Sequence, residues 1–293
     1  MSGIPPTDLI LNPDGSIYHL HLLPGDISDT ILLVGDPGRV DLISSFFDSV
    51  ELRKGNREFV THTGYYRDKR YSVLSTGIGT DNIDIVVNEL DALASVDLES
   101  RTLLENPGKL TLVRIGTSGA LHEDIPPGTT LLTEIAGGFD GLYYFYRDDK
   151  KVTVPGLGEA FTGYMGWNKK QADPYFTMGA ARLIELFSSP ELVSGITIST
   201  PGFYAPQMRT IRLAPGDDKL IQKLSSFTFN SIRINNLEME SSALYALSAM
   251  LGHDAVTLCV AIANRMTNTF LEEYKPAVEK LALEVLDKLA GYE

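Results

Sequence analysis

The sequence is poor in cysteine, in basic residues and in long apolar runs. Its 293 residues include one cysteine, Cys259, which excludes an intrachain disulfide and is typical of a reducing compartment. The formal net charge of -13 argues against a general binder of nucleic acid or of membrane surfaces. No apolar run approaches the roughly 20 residues needed to cross a bilayer, and the N-terminal residues lack a signal-peptide pattern. We therefore expect a soluble cytoplasmic protein, with Cys259 as a small buried apolar residue.

Predicted strands and amphipathic helices alternate along the whole chain. Strands are predicted at 18–22, 30–34, 60–66, 71–75, 111–115, 129–133, 192–199, 231–235 and 255–263. Helices are predicted at 172–187 and 275–289, after residues 37 and 240, and after residue 80, where Thr80 or Asp81 can cap the helix. This alternation indicates an α/β protein with a mixed central β-sheet flanked by helices. Because no linker or repeat divides residues 1–293, we expect a single domain, with 137–170 as an elaborated loop or insertion containing a hairpin.

The segment from Thr111 to Ala120 is predicted to be a buried strand that breaks into a turn at Gly116 to Gly119, since glycine allows a sharp turn and a close approach to a ligand. The carboxyl ends of strands in open α/β sheets are where ligands bind. Arg114 lies inside the apolar run, where a guanidinium needs an anionic partner. That partner is either a ligand phosphate or carboxylate or a structural carboxylate of the protein, and both interpretations stay open.

Two other segments carry groups that suit a flat, hydroxylated ligand. The loop at 201–209 contains Phe203, Gln207 and Arg209, which could stack on a ring and read its edge by hydrogen bonds; alternatively, it is a proline-rich connection. Glu238 and Glu240 stand at a predicted helix entrance, where ionised carboxylates can accept hydrogen bonds from vicinal hydroxyls. Alternatively, the two carboxylates have only a structural role, in which their negative charges interact favourably with the dipole at the N-terminus of the helix.

Seven short motifs occur in order along most of the chain. They are YHL at 18–20, GDPGRV at 35–40, NREF at 56–59, STGIG at 75–79, RIGTSG at 114–119, FYAPQMR at 203–209 and NLEMES at 236–241. Together they resemble the nucleoside phosphorylase family, and most of all its members that act on uridine. The resemblance implies phosphorolysis of an N-glycosidic bond, in which phosphate attacks C1′ of the ribose and uracil leaves. This would be a pentosyl transfer in pyrimidine salvage.

The resemblance also implies a role for each matching residue. The phosphate site would consist of Gly35, Arg39, Arg114 and Thr117, with Arg57 supplied by a neighbouring subunit. The ribose site would consist of Met239 and Glu240, with Glu238 beside them and His19, rather than His21, lent by the neighbour. The base site would consist of Gln207, Arg209, Phe203 and Gly119. Arg39, Arg114, Gln207 and Arg209 would act in catalysis, in a homo-oligomer with shared sites that needs inorganic phosphate but no metal or organic cofactor.

Other activities on the same scaffold stay open at this point. A purine or broad-specificity nucleoside phosphorylase would be expected to carry an aspartate acid near the end of the last strand, where Asn264 and Arg265 stand. A nucleosidase should lack the phosphate-binding arginines. A nucleoside-binding protein without catalytic activity is a further alternative. Dimer and hexamer, and ribose and deoxyribose substrates, are likewise alternatives that the motifs do not separate.

Overall fold

A twelve-stranded mixed sheet carries helices on both faces in the computed structural model, which describes residues 3–292. Two further short strands, at 96–97 and 102–103, pair as a separate sheet. The strands are β1 (Thr30–Val34), β2 (Ser49–Asn56), β3 (Phe59–Tyr66), β4 (Lys69–Ser75), β5 (Val96–Asp97), β6 (Thr102–Leu103), β7 (Thr111–Ala120), β8 (Thr130–Gly138), β9 (Tyr175–Met178), β10 (Val193–Ser199), β11 (Thr228–Phe229), β12 (Ile232–Glu238), β13 (Asp254–Asn264) and β14 (Thr269–Phe270). The helices are α1 (Gly38–Ser44), α2 (Thr80–Ser95), α3 (Leu157–Met165), α4 (Ala181–Phe187), α5 (Leu220–Ser226), α6 (Ser241–Leu251) and α7 (Lys275–Gly291). The predicted α/β architecture with a mixed central sheet is confirmed.

The strand order explains where a ligand site can form. The main path is β11-β12-β10-β8-β13-β7-β1-β4-β3-β2, with β9 paired to β8 and β14 paired to β13. Strands β4, β1, β7 and β13 run parallel, so their carboxyl ends meet at one edge of the sheet. An additional antiparallel pairing of β12 with β7 brings the end of β12 to that same edge. Loops from both halves of the chain therefore converge there.

Side chains of alternate residues in the central strands pack into two separate hydrophobic cores. In β1, Ile31 and Leu33 pack in a cluster with residues of α2 and α6. Leu32 and Val34 point the other way and pack with residues of α1, α4 and α7. This alternation follows from the period of two along a strand. Cys259 of β13 is fully buried, as predicted. Within the described residues, none of the helices is both long and apolar enough to cross a membrane.

Strand β7 does not break where the sequence predicted a turn. It continues through Gly116 and Gly119 to Ala120, because β13 pairs with it in parallel along its whole length. Gly116 is needed for a different reason than a turn: a Cβ there would lie 2.1 Å from Nη1 of Arg114. The glycine makes room for a guanidinium within the sheet.

Three other predictions of secondary structure were wrong. The segment 172–187 is a strand, β9, followed by the short helix α4, since the β-forming Tyr175 to Thr177 pair with β8. Residues 17–22 form a tight turn, closed by the bond from the Ile17 N–H to the Leu22 carbonyl, and not a strand. Residues 137–170 contain helix α3 where a hairpin was predicted. Its Phe161 packs in a core that also includes Phe176 and Phe227.

Candidate active site

A cavity of about 990 Å³ lies at the edge where the strand ends meet. Eleven of the predicted site residues line it: Gly35, Arg39, Arg114, Thr117, Gly119, Phe203, Gln207, Arg209, Glu238, Met239 and Glu240. They come from the ends of β1 and β12, from the body of β7 and from the loop after β10. The residues that the motifs select from distant parts of the chain are therefore brought together. His19 and Arg57 lie outside this cavity: Arg57 is exposed, and His19 is partly buried with its Nδ1 2.6 Å from Oε1 of Glu89.

Arg114 is the buried cation of the cavity. Its side chain is 4% exposed, its Nη2 donates to a carboxylate oxygen of Glu240, and its Nη1 lies 3.2 Å from Oε2 of Glu238. Burial alone would lower the pKa of Arg114, but the negative charges of Glu240 and then Glu238 have a larger, opposite effect. The pKa is therefore raised, and Arg114 stays protonated. The interpretation as a partner of structural carboxylates is confirmed, because Arg114 pairs with Glu238 and Glu240. Arg114 also lines the cavity, and its binding of a ligand anion there stays a prediction.

Glu240 is held by two groups from the N-terminal half of the chain. One carboxylate oxygen accepts a hydrogen bond from the backbone N–H of Gly79 at 2.8 Å, and the other accepts from Arg114. Gly79 is the N-cap of α2 and has a φ of +98°, a conformation that favours glycine. This replaces the predicted capping by Thr80 or Asp81, since no side chain caps the helix. Burial raises the pKa of Glu240, and the charge of Arg114 opposes that shift.

Glu238 lines the cavity, but its carboxylate is engaged by the protein. It accepts hydrogen bonds from the hydroxyl of Ser199 and from the backbone N–H groups of Glu240 and Ser241. Its side chain is 1% exposed. Glu238 ends strand β12, and its carboxylate accepts from the backbone N–H of Ser241, the first residue of α6, so it stands at the helix entrance with Glu240 as predicted. Its geometry suits it to orienting Arg114 and the start of α6, and its place beside Met239 and Glu240 in the ribose site stays a prediction.

At the other end of the cavity, Arg209 stacks on an aromatic ring. Its guanidinium lies 3.7 Å from the ring centroid of Phe203, and its Nη1 donates to the Phe203 carbonyl and to Oε1 of Gln207. Burial and the charge of Arg265 lower the pKa of Arg209 to about 10. Gln207 is 2% exposed. This end of the cavity thus presents a flat apolar face beside a cation and an amide.

Sequence reasoning missed a supporting role for Arg265. Its Nη1 donates to the carbonyl of Gln207 at 2.9 Å, and its Nη2 lies 3.4 Å from the carbonyl of Met208. Its neighbour Asn264 bonds the carbonyls of His122 and Ile125 and two backbone N–H groups after it. Arg265 therefore steadies the loop that carries Gln207. The one sequence feature that pointed to this role was the pair of polar residues, Asn264 and Arg265, at the end of the last predicted strand.

Replacing Gly116 with alanine is expected to destabilise the protein by about 1–3 kcal/mol, because overpacking in a close-packed interior forces side chains to move. The added methyl would lie 2.1 Å from Nη1 of Arg114 and 2.9 Å from Sγ of Cys259. Urea denaturation measures the change. The matched control is Gly163→Ala in helix α3, where a Cβ meets nothing within 4 Å and alanine favours the helix. Equal stability of Gly116→Ala and the wild type would contradict the conclusion that Gly116 makes room for the Arg114 guanidinium.

Comparisons with known proteins agree with this arrangement. A family model described as the Phosphorylase superfamily matches residues 29–290. A uridine phosphorylase of Thermococcus kodakarensis is 31% identical over 286 residues, which cover 96% of this chain and 89% of that relative. A DeoD-type purine nucleoside phosphorylase of Caldanaerobacter subterraneus subsp. tengcongensis is 28% identical over 273 residues, which cover 91% of this chain and 98% of the relative.

A solved structure is similar over its full length. It is the crystal structure of a Trypanosoma brucei nucleoside phosphorylase, described as showing uridine phosphorylase activity, and it covers 97% of this chain and 100% of its own with a TM-score of 0.84 and 28% identity. The family match spans the central sheet from just before β1 into α7. The resemblance that the seven motifs predicted is confirmed: the chain belongs to the phosphorylase superfamily, among the nucleoside phosphorylases.

Proposed function

We propose that this protein catalyses the phosphorolysis of uridine, giving uracil and ribose 1-phosphate. One observation carries the proposal: a single cavity holds Arg39 and Arg114 in its phosphate part, Glu240 beside them, and Gln207 with Arg209 in its base part. These groups suit, in turn, a phosphate, the hydroxyls of a ribose and the polar edge of a pyrimidine. The uridine phosphorylase among the relatives supports the same substrate.

The phosphate part of the cavity would hold the nucleophile. Gly35 follows β1 with no side chain to block a ligand, and Arg39 lies in the first turn of α1. Arg114 and Thr117 face the cavity from β7. Two guanidinium groups and a hydroxyl can orient phosphate beneath C1′, so that much of the rate enhancement comes from positioning. Phosphate is then a co-substrate, and the proposed chemistry uses no metal or organic cofactor.

The ribose would lie over Met239, with its vicinal hydroxyls donating to Glu240. The carboxylate of Glu240 is fixed by the Gly79 N–H and by Arg114, so it needs little reorganisation on binding. In the transition state the sugar becomes oxocarbenium-like, and the negative phosphate below it stabilises that charge. We propose Glu238 as a support for Arg114 in this step and not as a ligand of the sugar.

The base would stack on Phe203 and take its charge stabilisation from Arg209. Negative charge develops on uracil as the glycosidic bond breaks, and a cation placed beside the ring stabilises it. The alternative is a purine substrate, which some relatives use. In this chain Asn264 stands where a purine enzyme would be expected to carry its aspartate acid, and its amide cannot act as a general acid toward a leaving purine; its side chain instead bonds four backbone groups. This favours a pyrimidine.

A panel of nucleosides assayed with and without phosphate tests the proposal. We expect release of uracil from uridine only when phosphate is present, with equal amounts of ribose 1-phosphate. Base release without phosphate would instead identify a nucleosidase, and preferential turnover of inosine or adenosine would identify a purine enzyme. Binding of uridine with no turnover under any condition would identify a nucleoside-binding protein.

We also propose a cytoplasmic homo-oligomer whose subunits share their active sites. His19 and Arg57, the two residues that the family resemblance assigns to a neighbour, lie side by side outside the cavity. The Arg57 guanidinium is 5.9 Å from the ring of Tyr18, and Asn56 donates to the His19 carbonyl. Ile78 and Phe270, which line the cavity, are each 69% exposed. Apolar residues at the cavity mouth suit a covering subunit.

Shared sites predict that two impaired variants restore each other. Arg57→Ala should raise the phosphate KM about tenfold or more, because a charge-assisted hydrogen bond to the anion is lost. Arg209→Ala instead removes an arginine that each subunit contributes to its own cavity. When both variants are co-expressed, mixed oligomers contain sites with both arginines intact. For random pairing in a dimer, about a quarter of the sites are complete. Activity no higher than the mean of the separate variants would refute the shared site.

A further inference from the structure

Thr200 lies directly behind the base part of the cavity. It follows strand β10, is fully buried and makes four hydrogen bonds to the loop or to strand β12, the longest of them from its hydroxyl to the Glu238 carbonyl at 3.4 Å. Its hydroxyl accepts a hydrogen bond from Nε2 of Gln207 at 2.9 Å and donates to the carbonyl of Gly202 at 3.1 Å. Its backbone N–H donates to the carbonyl of Glu238 at 3.0 Å. Thr200 therefore connects the Gln207 amide to the rigid end of the sheet.

These contacts fix which way the Gln207 amide points. Its Nε2 carries two hydrogens, and two acceptors surround it: the Thr200 hydroxyl and the Glu238 carbonyl at 3.2 Å. Its Oε1 accepts from Nη1 of Arg209. A reversed amide would place oxygen against the Glu238 carbonyl and nitrogen against the guanidinium, so both contacts would be lost. The Thr200 hydroxyl donates its one hydrogen to carbonyls, chiefly that of Gly202, so it accepts from Nε2 and also disfavours an oxygen at that position. In the fixed orientation, the group left open on the amide is a second lone pair of Oε1.

An open lone pair selects for a donor on the base. The N3–H of uracil is a donor, whereas N3 of cytosine is an acceptor. A site built to accept a hydrogen bond rejects an analogue that offers a lone pair, because a buried acceptor is then left unpaired. The N3–H contact exists already in the bound nucleoside, and N3–H becomes a poorer donor as the ring gains negative charge. Its loss should therefore appear in KM more than in kcat.

We propose that Thr200 is a positioning residue that holds the carbonyl oxygen of Gln207 toward the base, and that this selects bases with an N–H donor at that edge. The inference rests on the proposed function, because it takes the ligand to be a pyrimidine nucleoside. It adds a residue outside the cavity lining to the determinants of base specificity.

The experiment compares Thr200→Val, which keeps the shape but loses the hydroxyl, with Thr200→Ser, which keeps the hydroxyl. Uridine phosphorolysis and competitive inhibition by cytidine are measured for each purified variant. For Thr200→Val we expect an increase of about tenfold in the uridine KM with kcat within about twofold of the wild type. The ratio of the cytidine inhibition constant to the uridine KM should fall by a similar factor. Thr200→Ser should stay within about twofold of the wild type in all three quantities.

Three results would overturn the inference: wild-type kinetics in Thr200→Val, a loss confined to kcat, or equal impairment of the valine and serine variants. If Thr200→Val does not fold, Thr200→Ala removes the same hydroxyl without added bulk and is read in the same way. An inert wild type with uridine and phosphate would refute the proposed function instead. If the wild type is active but the ratio of the cytidine inhibition constant to the uridine KM is unchanged in Thr200→Val, only the role of Thr200 is refuted and the proposed function stands.

Discussion

Replacing Arg114 with methionine is expected to abolish phosphorolysis and to destabilise the fold at the same time. Arg114 is the shared partner of Glu238 and Glu240, whose side chains are 1% and 6% exposed. Without the guanidinium, two carboxylates stay buried near each other with no cation, which typically destabilises a protein by about 3–5 kcal/mol. Phosphate also loses a buried ligand, so kcat/KM should fall by roughly a thousandfold or more. Urea denaturation and the uridine assay measure the two effects.

The matched control is Arg233→Met, in strand β12. Arg233 also pairs with a carboxylate, that of Asp124, but its side chain is 34% exposed and that of Asp124 is 64% exposed. Exposed pairs contribute about 0–1 kcal/mol, so this variant should be nearly as stable as the wild type. In Arg114→Met the lost stability should partly return as the pH is lowered, because Glu240 has a raised pKa and protonation removes its buried charge. A stable, active Arg114→Met variant would exclude the proposed phosphate site.

Replacing Arg209 with alanine should lower kcat for uridine by roughly 10²–10³-fold and leave the fold intact. Removing one preorganised group that stabilises transition-state charge has effects of this size. Arg209 lies on a loop and stacks on the half-exposed Phe203, so its loss creates no cavity in the core. Steady-state kinetics with saturating phosphate give the change in kcat, and thermal unfolding checks the fold.

Arg212→Ala is the control for charge in the same loop, because Arg212 is exposed and lies outside the cavity lining. It should retain the kinetics of the wild type. Arg209→Lys keeps the charge but loses the planar fork, so an intermediate kcat is expected. Uridine kinetics that are unchanged in Arg209→Ala would remove the assignment of this end of the cavity to uracil.

The residues of the cavity were easier to predict than the way they are held. Short motifs marked Arg39, Arg114 and Glu240 because glycine turns and charges inside apolar runs are local signals. The partners of Arg114 were not predictable, because Glu238 and Glu240 reach it only through the pairing of β12 with β7. The orientation of Gln207 depends on Thr200 and on the carbonyl of Glu238, and no local pattern contains that information.

The errors in secondary structure have the same origin. A turn was predicted at Gly116 from local propensity, but β13 pairs with this stretch and keeps it extended. The segment 172–187 carries a helical pattern, yet pairing of β9 with β8 overrides it in the first part. In both places a distant strand decides the conformation, and single-sequence patterns do not report distant strands.

The contacts of Glu240 also constrain how the newly made chain matures on the ribosome. Glu240 is separated in sequence from Arg114 by 126 residues and from Gly79 by 161 residues. Arg114 is therefore synthesised long before Glu238 and Glu240, and burying its charge in a half-synthesised chain that lacks both carboxylates would be unfavourable. Completion of the central sheet must wait until β13, which lies between β8 and β7 and follows β12 in sequence, has emerged, so we expect the catalytic centre to form in one late step and not progressively from the N-terminus.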